Sequence, residues 1–166
     1  MLSYSLSQET TTAHNDHSWG DIQYRYSPNE DILMIYFIKI EENMIDVSDE
    51  ILDGIVADFN EEQKITSLEI MNASFLLNCH FYDLQSSIEG RAPFSLSYHY
   101  NQPSDTLIMF FTGIVNVDGS LCKEIPAMFG YPIDSYFIGR CLAALEFHKA
   151  STSIKKTNVE MDPFRL

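Results

Sequence analysis

YRYSPNEDILMIYF, residues 24–37, decides the fold because the chain contains it twice, the second time as YHYNQPSDTLIMFF at residues 98–111. A second pair follows in the same order, ITSLEIMNAS at 65–74 and LAALEFHKAS at 142–151. The offset is 74 residues for the first pair and 77 for the second, so the later copy contains three inserted residues. We predict a polar tail at 1–19, a first repeat at 20–88 and a second repeat at 94–166.

Within each repeat the apolar residues follow the alternation of β-strands. The run IQYRYS ends at Ser27-Pro28-Asn29, which favours a turn, and ILMIYFIKI follows as the returning strand of a hairpin. Further strand and turn patterns reach residue 72, and the next segment spaces its apolar residues like one face of a helix. We predict an α+β fold of two antiparallel β-meander units, each followed by a helix and packed as a pseudo-twofold intramolecular dimer.

Residues 138–151, IGRCLAALEFHKAS, fit either a helix or a strand. Leucine, alanine and glutamate favour a helix. The match to residues 65–74, which contain β-branched residues, favours a strand. We prefer the strand, because two copies of one fold share their elements.

The chain is strongly acidic. It has 166 residues, with 24 Asp and Glu against 10 Lys and Arg, for a net charge of -14. Such a charge repels phosphate backbones and anionic lipid, so we expect no direct nucleic-acid or membrane binding and a basic protein partner instead. The N-terminus has neither the basic start nor the apolar core of a signal peptide, and no apolar run is long enough to span a membrane, which predicts a cytoplasmic protein.

The acidity is concentrated in one half. Residues 1–79 contain 15 acidic and 3 basic side chains, whereas residues 80–166 contain 9 and 7. No Lys or Arg occurs between residues 41 and 62. We predict that the partner binds Glu41, Glu42, Asp46, Asp49, Glu50 and Asp53. The alternative is a solvated rim of turns that maintains solubility and protects sheet edges.

A second candidate site uses Glu69, Glu146 and His148. Glu69 and Glu146 occupy equivalent positions, and two carboxylates brought together by pseudo-symmetry could perform acid–base chemistry. His148 lies two residues after Glu146, on the same face of a strand. Against this, a glutamate on the solvent-facing side of a strand also alternates with apolar neighbours. Asp31 and Asp105 are expected to serve their turns.

No cofactor, catalytic residue or metal site is predicted. Phosphate-binding loops, nucleophile elbows and His-Glu-x-x-His are absent, and the acids after residue 45 lack the spacing of a calcium loop. His14 and His17 could bind a metal only adventitiously. Three cysteines, Cys79, Cys122 and Cys141, fit reduced, buried thiols.

The first repeat resembles the short bacterial proteins called domain of unknown function 2283. The shared features are the tyrosine-bearing strand at 24–26, the turn at 28–31, the apolar strand at 33–37, the acidic middle at 41–53, the strand containing Gly54, the acidic turn at 60–62 and a last strand ending in Ala73-Ser74. The second repeat is degenerate, with Met128 in place of Gly54. The resemblance implies an antitoxin-like partner protein and supplies no catalytic residues.

We therefore expect an intracellular, acidic binding or regulatory protein that engages a basic partner through its first repeat. The alternative is a small enzyme or a metal- or ligand-binding protein with its site at the repeat junction. If single-copy relatives pair as twofold dimers, the tandem would supply both halves from one chain. It would be a monomer with pseudo-twofold symmetry or a homodimer.

Overall fold

The computed structural model describes residues 19, 22–77, 96–111, 121–125 and 132–156. The tail before Trp19, most of the predicted first helix and the position of Met128 lie outside these residues. The described part is mostly β-structure.

The two halves contain the same elements in the same sequence. The first sheet contains β1 (Gln23–Ser27), β2 (Ile32–Tyr36), β3 (Val47–Leu52), β4 (Ile55–Phe59) and β5 (Ile65–Ile70), followed by helix α1 (Ala73–Leu76). The second contains β6 (Ser97–Asn101), β7 (Thr106–Phe110), β8 (Leu121–Ile125), β9 (Ile133–Ile138) and β10 (Cys141–His148), followed by helix α2 (Ala150–Ser153). The prediction of two antiparallel sheets, each followed by a helix, is confirmed.

The strand order is β1-β2-β5-β4-β3 in the first sheet and β6-β7-β10-β9-β8 in the second. Each sheet combines a hairpin with a three-stranded meander, and the last strand lies at the centre rather than at an edge. The burial of the apolar side chains explains this strand order. β5 is buried at five of its six positions and so requires a neighbour on both sides, whereas the partly exposed β3 occupies an edge.

Residues 141–148 form strand β10, as the repeat predicts, and only residues 150–153 are helical. β10 pairs with β7 on one side and β9 on the other. The backbone hydrogen bonds and burial of a central strand outweigh the helix propensity of its Leu and Ala residues, which amounts to only tenths of a kcal/mol per residue.

A hydrogen-bonded motif, here called the clasp, fixes the turn of the first hairpin to α1. The Tyr26 hydroxyl donates to Asp31 Oδ1 at 2.6 Å. The Ser74 amide donates to the same oxygen at 3.0 Å, and the Ser74 hydroxyl donates to Oδ2 at 2.7 Å. Asp31 adopts a left-handed backbone conformation with φ 56°, and its carbonyl accepts from the Ala73 amide at 2.9 Å.

The second sheet repeats the clasp with the equivalent residues. Tyr100 donates to Asp105 Oδ1 at 2.6 Å, and Ser151 donates through its amide at 3.0 Å and its hydroxyl at 2.6 Å. Asp105 has φ 53°, and its carbonyl accepts from the Ala150 amide at 2.9 Å. The expectation that both aspartates serve their turns is met by this geometry.

One apolar core joins the two sheets. The rings of Phe37 and Phe147 meet edge-to-face with their centroids 5.9 Å apart. Trp19, at the end of the predicted polar tail, is buried against Tyr100 with a centroid distance of 5.3 Å. The inner faces of both sheets belong to this core, so side chains on alternate positions point to the two outer faces.

Chain segments also cross between the sheets. The Lys155 amide donates to the Ile65 carbonyl at 2.8 Å, beside a parallel bridge between Ile65 and Ile154. At the corresponding place in the other half, the Cys141 thiol lies 3.4 Å from the Leu77 carbonyl. The residues after each helix therefore contact the start of the central strand of the other sheet.

Both helices in the described residues have four residues, far fewer than the roughly 20 that cross a bilayer.

Candidate functional site

The outer face of the second sheet carries a cluster of three metal-ligating side chains. Asp134 on β9 is the direct cross-strand partner of Glu146 on β10, and His148 follows Glu146 two positions later. Residues two apart on a strand share a face, and directly paired residues do so as well. The ligand atoms of all three side chains lie within 4.8 Å of one another. We call Asp134, Glu146 and His148 the triad.

His148 is at the centre of the triad. Its Nε2 atom lies 2.7 Å from Asp134 Oδ2 and 3.5 Å from Glu146 Oε1. The side chain of His148 is 37% exposed and that of Asp134 is 20% exposed, whereas Glu146 is only 5% exposed. The triad therefore opens to solvent on the histidine side and is closed beneath the glutamate.

The environment of Glu146 raises the pKa of its carboxyl group above the ordinary value. Burial raises the pKa of this carboxyl most strongly, and the neighbouring Asp134 raises it further. A hydrogen bond from Tyr136 and the proximity of His148 oppose the increase without cancelling it. The raised pKa marks a carboxylate that is stabilised by any added positive charge.

Tyr136 and Cys122 border the triad. The Tyr136 hydroxyl donates to Glu146 Oε1 at 3.1 Å, and burial followed by the charge of Glu146 raises the pKa of this phenol.

Burial and then the charge of Asp134 raise the pKa of the Cys122 thiol, although its residue is exposed. Cys141, on the same strand as Glu146, has a pKa raised by burial. Neither cysteine has the lowered pKa of a nucleophilic thiolate. Cys79 lies outside the described residues.

Glu69 lies on the outer face of the first sheet and is not part of the triad. Its strand neighbours Leu68 and Ile70 belong to the shared core, as Leu145 and Phe147 do beside Glu146, so the two glutamates point away from the sheet junction. Burial raises the pKa of Glu69, and so do the charge of Asp58 and a hydrogen bond shared with it. The structure thus brings Glu146 and His148 together and leaves Glu69 elsewhere.

Asp58 is buried and well bonded. It accepts hydrogen bonds from the hydroxyls of Ser48 at 2.6 Å and Ser67 at 2.7 Å. In the second sheet the position equivalent to Asp58 is Tyr136, by the pairing of each residue with the central strand. The outer faces of the two sheets therefore carry different polar networks on one framework.

Sequence comparison of the two repeats could not reveal Asp134. The residue of β4 that pairs with Glu69 is Val56, and Met71 stands where the second sheet has His148. Since only the glutamate is shared, a search for repeated residues finds Glu146 and misses its cross-strand partner. The pairing of β9 with β10 would have revealed it, but that pairing depends on strand order.

The predicted partner-binding acids lie on and around the edge strand β3. All but the half-buried Asp49 are exposed. Among the described residues these six acids form no ion pair, although Glu50 accepts a weak hydrogen bond from the Gly54 amide at 3.2 Å. Ile45, in the middle of this acidic surface, is 41% exposed.

Residues 23–74 match the model of a family described as Protein of unknown function (DUF2283). The match covers β1 to the start of α1, which is the first sheet with both ends of its clasp. No curated protein and no solved structure matches the chain significantly.

Proposed function

We propose that this chain, whose first sheet matches a family of unknown function, is an acidic, antitoxin-like binding protein that acts in the cell without catalysis. It engages a basic protein partner through Glu41, Glu42, Asp46, Asp49, Glu50 and Asp53. The observation that carries this proposal is that five of these six acids are exposed and that none of the six forms an ion pair in the described residues. Like charges crowded on one surface repel each other, and a basic partner removes that repulsion.

The edge strand supports the same proposal. β3 pairs with β4 on one side, and its other side has no strand partner in the described residues. An extended peptide binds such an edge through backbone hydrogen bonds and gains specificity from side chains. The exposed Glu50 lies on this edge strand and the exposed Ile45 lies two residues before it, so the surface suits an extended segment that carries Lys or Arg beside an apolar residue.

We further propose that the two sheets pack about a pseudo-twofold axis. Tyr24 and Tyr98 occupy equivalent positions, and they are close enough that ionised Tyr98, after burial, contributes to the raised pKa of Tyr24. Equivalent residues meet where a twofold axis passes. The reciprocal contacts of Leu77 with Cys141 and of Lys155 with Ile65 support the same symmetry.

With both halves of the twofold interface in one chain, the protein is a monomer. Light scattering coupled to size-exclusion chromatography measures this directly. A mass near 19 kDa is expected, and a stable dimer would refute the monomeric assembly.

The partner is tested by affinity purification from the native host at moderate salt. We expect a basic protein that is released by added salt, because exposed charge interactions are screened. The variant Glu41→Lys/Glu42→Lys should lose it. The variant Glu30→Lys/Glu124→Lys changes the same net charge at exposed acids outside the predicted surface and should retain it.

Two results would refute the binding proposal. One is the absence of any salt-sensitive basic protein in the wild-type purification. The other is equal recovery of that protein with Glu41→Lys/Glu42→Lys and with wild type. Circular dichroism must show that both variants are folded, so that loss of the partner reports on the surface.

A further inference from the structure

We propose that Asp134, Glu146 and His148 form a binding site for a divalent transition-metal ion of the zinc class. The site lies on the second sheet, and the proposal is independent of partner binding by the first sheet.

The donor set indicates the class of ion. One imidazole nitrogen and two carboxylate oxygens are donors that zinc accepts, and nitrogen ligation distinguishes this set from the all-oxygen sites of calcium and magnesium. The donors are Asp134 Oδ2, Glu146 Oε1 and His148 Nε2. Each comes from a strand, so the backbone positions are held by the sheet.

The two distances from the His148 nitrogen fit a tetrahedral ion with a small adjustment, and all three ligand atoms lie within 4.8 Å of one another. Metal–ligand bonds of about 2.0–2.2 Å separate neighbouring ligand atoms by about 3.3–3.6 Å in such a site. The 3.5 Å between His148 Nε2 and Glu146 Oε1 lies in this range, and the 2.7 Å to Asp134 Oδ2 must lengthen by about half an ångström. A rotation of the partly exposed His148 or Asp134 side chain supplies that distance.

The charge of the triad also favours a cation. Two carboxylates face one imidazole, and no Lys or Arg in the described ranges forms an ion pair with either of them. A divalent ion compensates both carboxylates when the imidazole is neutral. On the other side of Glu146, its partner on β7 is Ile108, which is fully buried, and apolar surroundings strengthen such an electrostatic interaction.

The surrounding residues hold Glu146 in position. Tyr136 donates to its Oε1 atom at 3.1 Å, the kind of outer hydrogen bond that orients metal-binding carboxylates. Tyr136 itself belongs to an apolar cluster with Ile108, Phe110 and Ala144. Glu146 is thus held by burial and by this hydrogen bond, and the partly exposed His148 and Asp134 are the donors free to adjust.

Three protein donors leave a fourth position of a tetrahedral ion for water or a ligand. The His148 side chain is 37% exposed, so solvent reaches the site on the histidine side. Three protein ligands with an open position are typical of exchangeable or catalytic sites, and four are typical of purely structural sites.

The first sheet supplies a matched control. It has Val56 and Met71 at the positions of Asp134 and His148, while Glu69 corresponds to Glu146. The variant Asp134→Val/His148→Met therefore introduces residues that this framework already carries. It removes two donors, and Asp134→Asn provides a nearly isosteric single change.

The test is isothermal titration calorimetry of the untagged full chain with Zn²⁺ alone. We expect one equivalent to bind. Asp134→Val/His148→Met should bind at least about tenfold more weakly, because even loss of an outer-shell partner has an effect of that size. His14→Gln/His17→Gln removes the adventitious His-x-x-His of the N-terminal segment and should leave binding unchanged.

A second measurement uses only wild type and so does not depend on the folding of the variants. Amide NMR spectra of wild type with one equivalent of Zn²⁺ should show changes centred on β9 and β10. The proposal is overturned by stoichiometric binding that persists in Asp134→Val/His148→Met, by binding that disappears in His14→Gln/His17→Gln, or by the absence of zinc binding to wild type.

Discussion

Asp31 accepts a 2.7 Å hydrogen bond from the hydroxyl of Ser74, which lies 43 residues later in the chain. Together with Tyr26, this bond ties the first hairpin turn to the helix after the central strand. The Asp, the Tyr and the Ala-Ser pair recur in the second sheet with nearly the same distances. These residues are therefore identical in the two repeats for a structural reason. In each sheet they tie the first hairpin turn to the helix that follows the last strand.

Asp31→Asn should destabilise the protein by about 1–3 kcal/mol, the cost of leaving a partly buried donor without its acceptor. Asparagine retains the shape of the side chain and tolerates the left-handed backbone, so the change isolates the carboxylate. Asp105→Asn should have a similar effect. Urea denaturation measures both, with the exposed Asp53→Asn as the control. If Asp31→Asn and Asp53→Asn have the same free energy of unfolding, the clasp carboxylate does not contribute to stability.

The clasp also predicts how the stability of the fold depends on pH. Partial burial raises the pKa of Asp31, but hydrogen bonds from Tyr26 and Ser74 outweigh it and hold the pKa below its ordinary value. The pKa of Asp105 is lowered in the same way by Ser151 and Tyr100. A lowered folded-state pKa stabilises the fold above the unfolded value of about 3.9, and this stability disappears as pH falls through the folded pKa.

We therefore expect the free-energy difference between wild type and Asp31→Asn/Asp105→Asn to be constant from neutral pH down to about pH 5 and to shrink below about pH 4. Denaturation curves measured across this range provide the comparison. A difference that stays the same down to the lowest pH would contradict ionised clasp aspartates.

Glu69→Gln should stabilise the protein near neutral pH by up to about 1 kcal/mol, in the range of solvent-screened charge interactions. The pKa of Glu69 is raised, so the folded state holds its proton more tightly, and stability falls as pH rises from the unfolded to the folded pKa. Glutamine removes that penalty and can still donate to Asp58. The gain should vanish at a pH below the unfolded value, and a constant gain would point to packing instead.

Phe37→Ala should cost about 3–5 kcal/mol, because it removes a buried ring from the core that joins the sheets. Phe37 is 2% exposed and meets Phe147 edge-to-face. Phe75→Ala is the control, since this side chain is 71% exposed and its loss should change stability by no more than about 0.5 kcal/mol. Wild type should unfold in one transition, and separate transitions would show that the sheets are independent.

The local elements of this fold could be predicted from sequence. Residues 24–37 and 98–111 both form hairpins, and the repeat correctly identified β10 as a strand despite its helix-favouring composition. Such features depend on neighbouring residues or on direct comparison of the repeats. Asp31 and Asp105 could be assigned to turns for the same reason.

Long-range pairing could not be predicted. Alternation identifies a strand but not its neighbours, so the insertion of β5 between β2 and β4 was missed. Asp134 was missed with it, because this residue faces Glu146 only through the pairing of β9 with β10. The sequence offered Glu146 and His148 because they lie two residues apart on one strand, whereas Asp134 lies on another strand.

The hydrogen bond from the Lys155 amide to the Ile65 carbonyl sets an order of events during synthesis. The sheet that contains Ile65 leaves the ribosome first, but its central strand gains this contact only after about 90 further residues have emerged. The half that is translated first therefore gains this contact with the other half only at the end of synthesis. A ribosome that stops before residue 155 releases a chain whose first sheet lacks this contact.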